Sequence, residues 1–358
     1  MFPSRYWPVS AVLALLAGDA GAQDSAAVRF SGYAEVYYAY DFAQPGSGER
    51  PSFLYNHKRH NEVNANLLLL RAELKRDAFR GAVGLMGGTY AQYNLSSEPD
   101  MLRNVYEAQV GARLSARGDV WVDAGIFPSH IGFESAIGMD CPNLTRSLVA
   151  ENTPYYEAGA RLSARPSKRL EVAGLLLNGW QRIQREPGNQ RPAFGTQLRY
   201  DDGAGLVLNW STFVGSMGPD SIGERRWYSN LYAQLEGDAS LIVIGFDAGV
   251  QENRGWRVNL GEYAYWMSAV GAFRQRVKGR WWVNGRAEVF LDDYWLNLPL
   301  GMDALLGASA GVDCRISEQA WWRAEYRLLR APDGGFVDAQ GAPSATNMVL
   351  TTALCLRL

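Results

Sequence analysis

The sequence predicts an all-β protein: a transmembrane antiparallel β-barrel of about 16 strands, with short periplasmic turns on one rim and long external loops on the other. Three observations carry this. Apolar residues recur with period two, the alternation of a strand with one face in each of two environments. The connections between those segments alternate strictly between short and long. The composition, with 38 Gly, 18 Tyr, 13 Phe and 12 Trp, favours strands and tight turns over long helices. Nowhere after residue 22 is there an apolar run of roughly 18 residues, which excludes a helical membrane bundle. The 35 Lys+Arg stand against 37 Asp+Glu, so no broad basic surface exists to hold nucleic acid, and that class of partner is excluded.

Residues 1–22 read as a cleaved secretory signal peptide. Arg5 supplies the positive start, Val9 to Ala17 the short apolar stretch, and Ala20-Gly21-Ala22 the small-residue cleavage site, with cutting between Ala22 and Gln23. No cysteine at that site argues against a lipid anchor. Residues 23–358 then form a single outer-membrane β-barrel domain. Its first segment shows the pattern: Val28, Phe30, Gly32, Ala34, Val36, Tyr38 and Tyr40 alternate with Arg29, Ser31, Tyr33, Glu35, Tyr37 and Ala39. Further strands are expected at 62–75, 79–93, 105–117, 119–131, 155–165, 169–180, 193–201, 206–214, 227–236, 240–251, 262–275, 280–291, 304–315, 320–330 and 346–358. Leu67 to Leu70 interrupt the phase and suggest a bulge or a two-sided strand. Trp121 and Phe127 sit opposite Val120, Val122 and Ile126, and are expected to fill the lumen. Tyr38, Tyr40, Trp180, Trp210, Trp227, Trp281, Trp295 and Trp322 lie near strand ends and suit two interfacial girdles. Cys141, Cys314 and Cys355 are odd in number and far apart, so no disulfide framework is expected.

A barrel of this size encloses water, and its properties depend on what narrows it. The third long loop, 132–154, carries Glu134, Asp140, Arg146 and Glu151, with Pro142 and Pro154 restricting its path. By analogy at fold level these four residues are the candidate pore constriction. The polar strand faces carry Arg113, Glu157, Arg161, Arg286, Glu288, Arg323, Glu325 and Arg327, with Glu35, Glu107, Asp123 and Asp247. Charges cost several kcal/mol facing lipid at mid-depth, so these are assigned to the lumen. Tyr33, Tyr37, Trp121, Trp282 and Trp321 offer sugar-stacking faces and keep a sugar-selective channel open as an alternative. His57-Lys58-Arg59-His60 is surrounded by cations and makes a poor metal site, and Ser129 lacks a nucleophile elbow; neither a metal, a cofactor nor catalysis is expected.

Several motifs resemble a known family. Ala124-Gly125-Ile126-Phe127-Pro128-Ser129-His130-Ile131-Gly132-Phe133-Glu134-Ser135-Ala136, then Thr145-Arg146-Ser147, Ala150-Glu151-Asn152 and Pro154-Tyr155-Tyr156-Glu157-Ala158-Gly159, closely resemble the β-barrel porin-2 (OmpL-like) family of Gram-negative outer membranes. So do Phe30-Ser31-Gly32-Tyr33, Arg59-His60-Asn61-Glu62, Gly88-Thr89-Tyr90, Leu177-Asn178-Gly179-Trp180-Gln181-Arg182 and Gly285-Arg286-Ala287-Glu288. The resemblance implies an outer-membrane barrel with porin activity and names no solute. One departure is the C-terminus: such barrels usually end on an aromatic residue read by the barrel-assembly machinery, whereas this chain ends in Leu358. The expected function is passive diffusion of small hydrophilic solutes; a non-conducting surface or adhesion barrel is the competing class. Outer-membrane lipids, such solutes and the assembly machinery are the expected partners. Ala158, Ala160, Ala308 and Ala310, small and outward-facing, leave a homotrimer open.

Overall fold

The computed structural model describes residues 28–253 and 262–358; the signal peptide read from residues 1–22 lies outside them. Sixteen strands close into an antiparallel barrel. In chain order these are β1 (Arg29–Asp41), β2 (Val63–Lys75), β3 (Phe79–Gly87), β4 (Val105–Ser115), β5 (Val120–Pro128), β6 (Tyr156–Ser167), β7 (Leu170–Leu177), β8 (Ala193–Asp201) and β9 (Leu206–Ser216). The ring continues with β10 (Arg225–Gly237), β11 (Ser240–Glu252), β12 (Tyr263–Lys278), β13 (Trp281–Leu291), β14 (Ala304–Arg315), β15 (Ala320–Arg330) and β18 (Thr346–Arg357). A two-residue hairpin, β16 (Phe336–Val337) with β17 (Pro343–Ser344), sits in the last long loop. Each barrel strand pairs with the next barrel strand in the chain, β15 with β18 across the hairpin, and β18 closes onto β1, so among the described residues no edge of the barrel sheet is left open to lipid.

The two faces separate as alternation requires. Ile244, Leu231 and Leu354 are more than half exposed on the outside, whereas Glu35, Glu107, Asp123, Asp247 and Asp313 inside are fully buried. The irregularity near Leu67 is a bulge. Glu35 pairs with Leu67 but Val36 pairs with Ala65, so Asn66 is the extra residue. Beyond it Leu67 and Leu69 face inward and are buried, while Leu68 and Leu70 face outward.

The strand expected over 79–93 is too long. The ladder ends at Gly87, and α1 (Thr89–Asn94) follows. Gly88 has φ 108°, and a Cβ there would lie 2.6 Å from the Asn66 carbonyl oxygen; this close approach turns the chain off the wall. The strand expected over 119–131 likewise ends at Pro128, where the third long loop leaves the wall. Trp180 is also not a girdle residue. Its ring packs within the barrel, 4.9 Å from those of Phe213 and Tyr228.

Candidate functional site

The third long loop, residues 129–155, passes through the barrel interior. Its base is fixed by His130, whose Nδ1 lies 2.8 Å from Glu157 Oε2 and whose Nε2 lies 2.9 Å from the Thr212 carbonyl oxygen. The Thr212 carbonyl can only accept, so Nε2 carries a hydrogen, and Nδ1 faces the Glu157 carboxyl. Burial opposes a charge on the ring, but the adjacent Glu157 outweighs it and raises the His130 pKa above the usual histidine value. The His130 carbonyl oxygen in turn accepts from Ser211 Oγ at 2.6 Å and Gln197 Nε2 at 3.2 Å. The Gly132 N–H donates to Asn230 Oδ1, itself held by Asp247.

From this base the loop crosses to the far wall. β14 is eight places around the ring from β6 in either direction, and the strands that flank it, β13 and β15, receive the loop together with β12. Glu325 accepts from the Thr145 N–H (2.8 Å) and hydroxyl (2.6 Å), and Glu288 from the Leu148 N–H (2.6 Å). Arg286 donates to the Thr145 carbonyl at 2.6 Å and Arg327 to the Arg146 carbonyl at 3.0 Å. Lower down, Arg323 reaches the carbonyls of Gly138 and Pro142, and Arg274 that of Cys141. At the lowest turn a Cβ on Gly138 would fall 1.9 Å from Glu35 Oε2, so no side chain fits there. The short helix α2 (Leu148–Glu151) begins at Ser147, whose hydroxyl accepts from the Ala150 N–H.

The four expected constriction residues play different parts. Arg146 is fully buried and donates to the carbonyls of Ser135, Leu144 and Ala136, a clip inside the loop rather than a charge facing water. Glu134 accepts from the Ser147 N–H and hydroxyl, and Glu151 from the Tyr55 and Asn56 N–H groups of the first long loop. Burial raises the pKa of both carboxyls. Asp140 is the half-exposed member, paired with Arg357 at 2.5 Å.

Of the expected lumen residues, Arg286, Glu288, Glu325 and Arg327 form one buried network, with Arg286–Glu325 at 3.1 Å and Arg327–Glu288 at 2.5 Å. Arg323 grips Asp313 through two bonds of 2.8 and 3.1 Å. Glu157 holds His130. Arg113 and Arg161 lie on the opposite wall and stay partly exposed, paired with Asp119 and Asp123, as does Arg80 with Asp123 and Arg71 with Glu107. The aromatic faces considered for sugar are largely taken: Arg80 lies 4.4 Å over the Trp121 ring, and Arg315 lies 3.7 Å over Trp282 and 4.3 Å over Trp321. Tyr33 donates its hydroxyl to Glu35, and the Tyr37 hydroxyl accepts from the Arg59 N–H.

Several contributors are not legible in the sequence. His57, read in the sequence only as part of a poor metal site, is fully buried with Nε2 at 2.8 Å from Glu35 Oε1, and burial lowers its pKa. Asn66, the bulged residue, donates to the same Glu35 oxygen, so the bulge supplies a ligand to the loop floor. Above the third loop, on the long-loop side, a polar cavity of about 300 Å³ is lined by residues including Tyr55, Glu151, Trp180, Arg182, Arg226 and Asn297.

This architecture has relatives. The family model described as "Putative beta-barrel porin-2, OmpL-like" matches residues 27–358. The chain belongs to this family. Its barrel is also similar in fold to solved porins: the anion-selective porin from Comamonas acidovorans has 9% identity and a TM-score of 0.61, covering 93% of this chain and 100% of that one. The outer membrane channel DcaP of Acinetobacter baumannii has 8% identity, a TM-score of 0.61 and coverage of 93% and 97%. The trimer form of OmpT, an outer membrane protein of Vibrio cholerae, has 9% identity, a TM-score of 0.59 and coverage of 94% and 100%. No curated protein matches the chain by sequence. A porin-2 barrel is thus a channel-type fold, shared at identities that speak to architecture alone.

Proposed function

We propose that this porin-2 chain is an outer-membrane diffusion channel for small hydrophilic solutes, without covalent chemistry or a cofactor, and that the loop over 132–154 sets its bore. The observation that carries the reading is the diametric crossing of that loop, secured at both ends by charged side chains of the wall. A loop that merely covered the mouth would have no reason to engage Arg323 and Arg274 near the short-turn rim. On this reading residues 1–22 direct export and are removed, and the short turns face the periplasm.

A homotrimer is the assembly we propose. The outer face of β18, β1, β2 and β3 has an apolar groove of about 410 Å³ lined by Gly32, Ala34, Leu68, Leu70, Leu85 and Leu358, which a second barrel could fill. Ala308 and Ala310 are exposed on another part of the wall, and Ala158 is buried, so the groove supports the contact better than those alanines.

Purified protein in a planar bilayer is expected to give stepwise conductance, and removal of residues 138–148 to increase the step several-fold. An unchanged step in a folded deletion variant would remove the loop from the constriction. A folded, heat-modifiable barrel with no conductance in either form would favour a surface protein instead.

A further inference from the structure

Arg274, Arg286, Arg323 and Arg327 hold the loop, and beside Arg274 a further group near the short-turn rim takes no part in that. β12, β13, β14 and β15 place Arg274, Trp282, Arg315 and Trp321 on adjacent inward positions, with Arg276 opposite Trp282 and Arg315 opposite Trp321 across the ladders. The Arg315 guanidinium packs against both indoles, and Arg274 lies 5.3 Å from the Trp321 ring. Stacking occupies the faces of the guanidinium and leaves its edge N–H groups to find acceptors. Three buried donors here have none among the described residues: Arg274 Nε, Arg315 Nε and Trp321 Nε1. Arg315 and Trp321 border a cavity of about 470 Å³ that opens at the rim and is lined also by Arg276 and Arg280, with Arg274 behind the Trp321 ring. Asp313, the nearest inner carboxylate, has both oxygens bonded to Arg323. The two carboxylates that line the cavity, Asp238 and Glu318, are exposed at its edge, and neither forms an ion pair among the described residues.

We propose that this cavity is a binding site for an oxyanion, a solute bearing a carboxylate or phosphate group, at the short-turn mouth of the pore. A cluster of buried donors without acceptors is the complement of an oxyanion, whose lone pairs satisfy several N–H groups at once. The tryptophans hold the guanidinium groups in place and limit their hydration, which strengthens the attraction. In the channel reading, on which the transport part of this inference rests, the site collects anions at the periplasmic exit and biases passage toward them.

Two measurements separate the site from the channel. Calorimetric titration of the full detergent-solubilised protein with sodium phosphate, and separately with sodium succinate, at low ionic strength should show saturable binding of one or both. Arg315→Gln with Arg280→Gln should weaken it at least tenfold, while Arg199→Gln, an arginine elsewhere in the lumen with its own partner Asp201, should not. Heat-modifiable migration establishes that each variant is folded. Absence of binding, or equal binding by the double variant, overturns the proposal whether or not the barrel conducts. In bilayers under a potassium chloride gradient, the reversal potential should indicate chloride preference in the parent and shift toward potassium in the double variant. Conductance with an unshifted reversal potential overturns the selectivity role alone; binding without any conductance overturns the channel reading and leaves the site standing.

Discussion

At the scale of single residues, burial decides what each charge does. Glu288 accepts from Arg286, Arg327 and the Leu148 N–H with no exposure of its carboxylate, so removing one partner strands a buried charge. Arg327→Gln is expected to cost about 3–5 kcal/mol, read as a lower denaturant midpoint for the folded barrel in detergent. The cost should be smaller when Glu288→Gln is combined with it, since the uncompensated charge then disappears. His130 provides a pH dependence. Its folded pKa is raised by Glu157 despite burial and the nearby Arg161, so its contribution is complete below the unfolded value of about 6.5 and is lost as pH rises through the folded one. The loop base should therefore loosen between mildly acid and alkaline pH, visible as growing current noise in single-channel records. His130→Gln should flatten that dependence; noise that rises equally in the variant would sink the assignment.

At the scale of elements, closure of the ring depends on the last strand. The Leu358 N–H donates to the Gly32 carbonyl at 2.9 Å and the Gly32 N–H returns to Leu358 at 3.2 Å, so the final residue completes the β1–β18 seam. Its side chain is 74% exposed on the outer face, free for recognition but not aromatic. Leu358→Phe is expected to increase the heat-modifiable, membrane-assembled fraction in cells, with no change in the melting of protein already folded. The loop is the other element with a clear outcome, because deletion of residues 138–148 removes its bonds to Arg323, Arg274, Glu325 and Glu288 while leaving the His130–Glu157 base engaged.

At the scale of the molecule, the outward face acts as a hydrocarbon-contacting surface and the interior as a hydrogen-bonded polar core. Ile244, central on β11 and 64% exposed, tests that division. Ile244→Arg is expected to cost about 2–4 kcal/mol of folding stability in lipid vesicles, a penalty that should fall toward zero for the same change near either rim. A similar cost at both depths would contradict the proposed membrane position.

Strand number, strand faces and the alternation of short turns with long loops were legible in the sequence, because period two is a local property that each strand must satisfy to keep lipid on one side and water on the other. The inward phase of Trp121 and of Glu288, and the irregularity beside Leu67, could be read in this way. The strand over 79–93 was overextended because Tyr90 and Ala91 are apolar for a different reason, packing beneath a loop. What only the tertiary structure decided is which charges meet. Arg146 and Glu134 look like pore charges in the chain but become the loop's internal fastening, while His57 and Asn66 look like loop and strand filler but converge on Glu35. Those pairings join positions 11 to 31 residues apart, and the bond from Arg323 to the Gly138 carbonyl spans 185, made only when the ring closes and the loop crosses it. No local pattern records them, since a charge's partner and burial are set by the whole enclosure rather than by its neighbours in the chain.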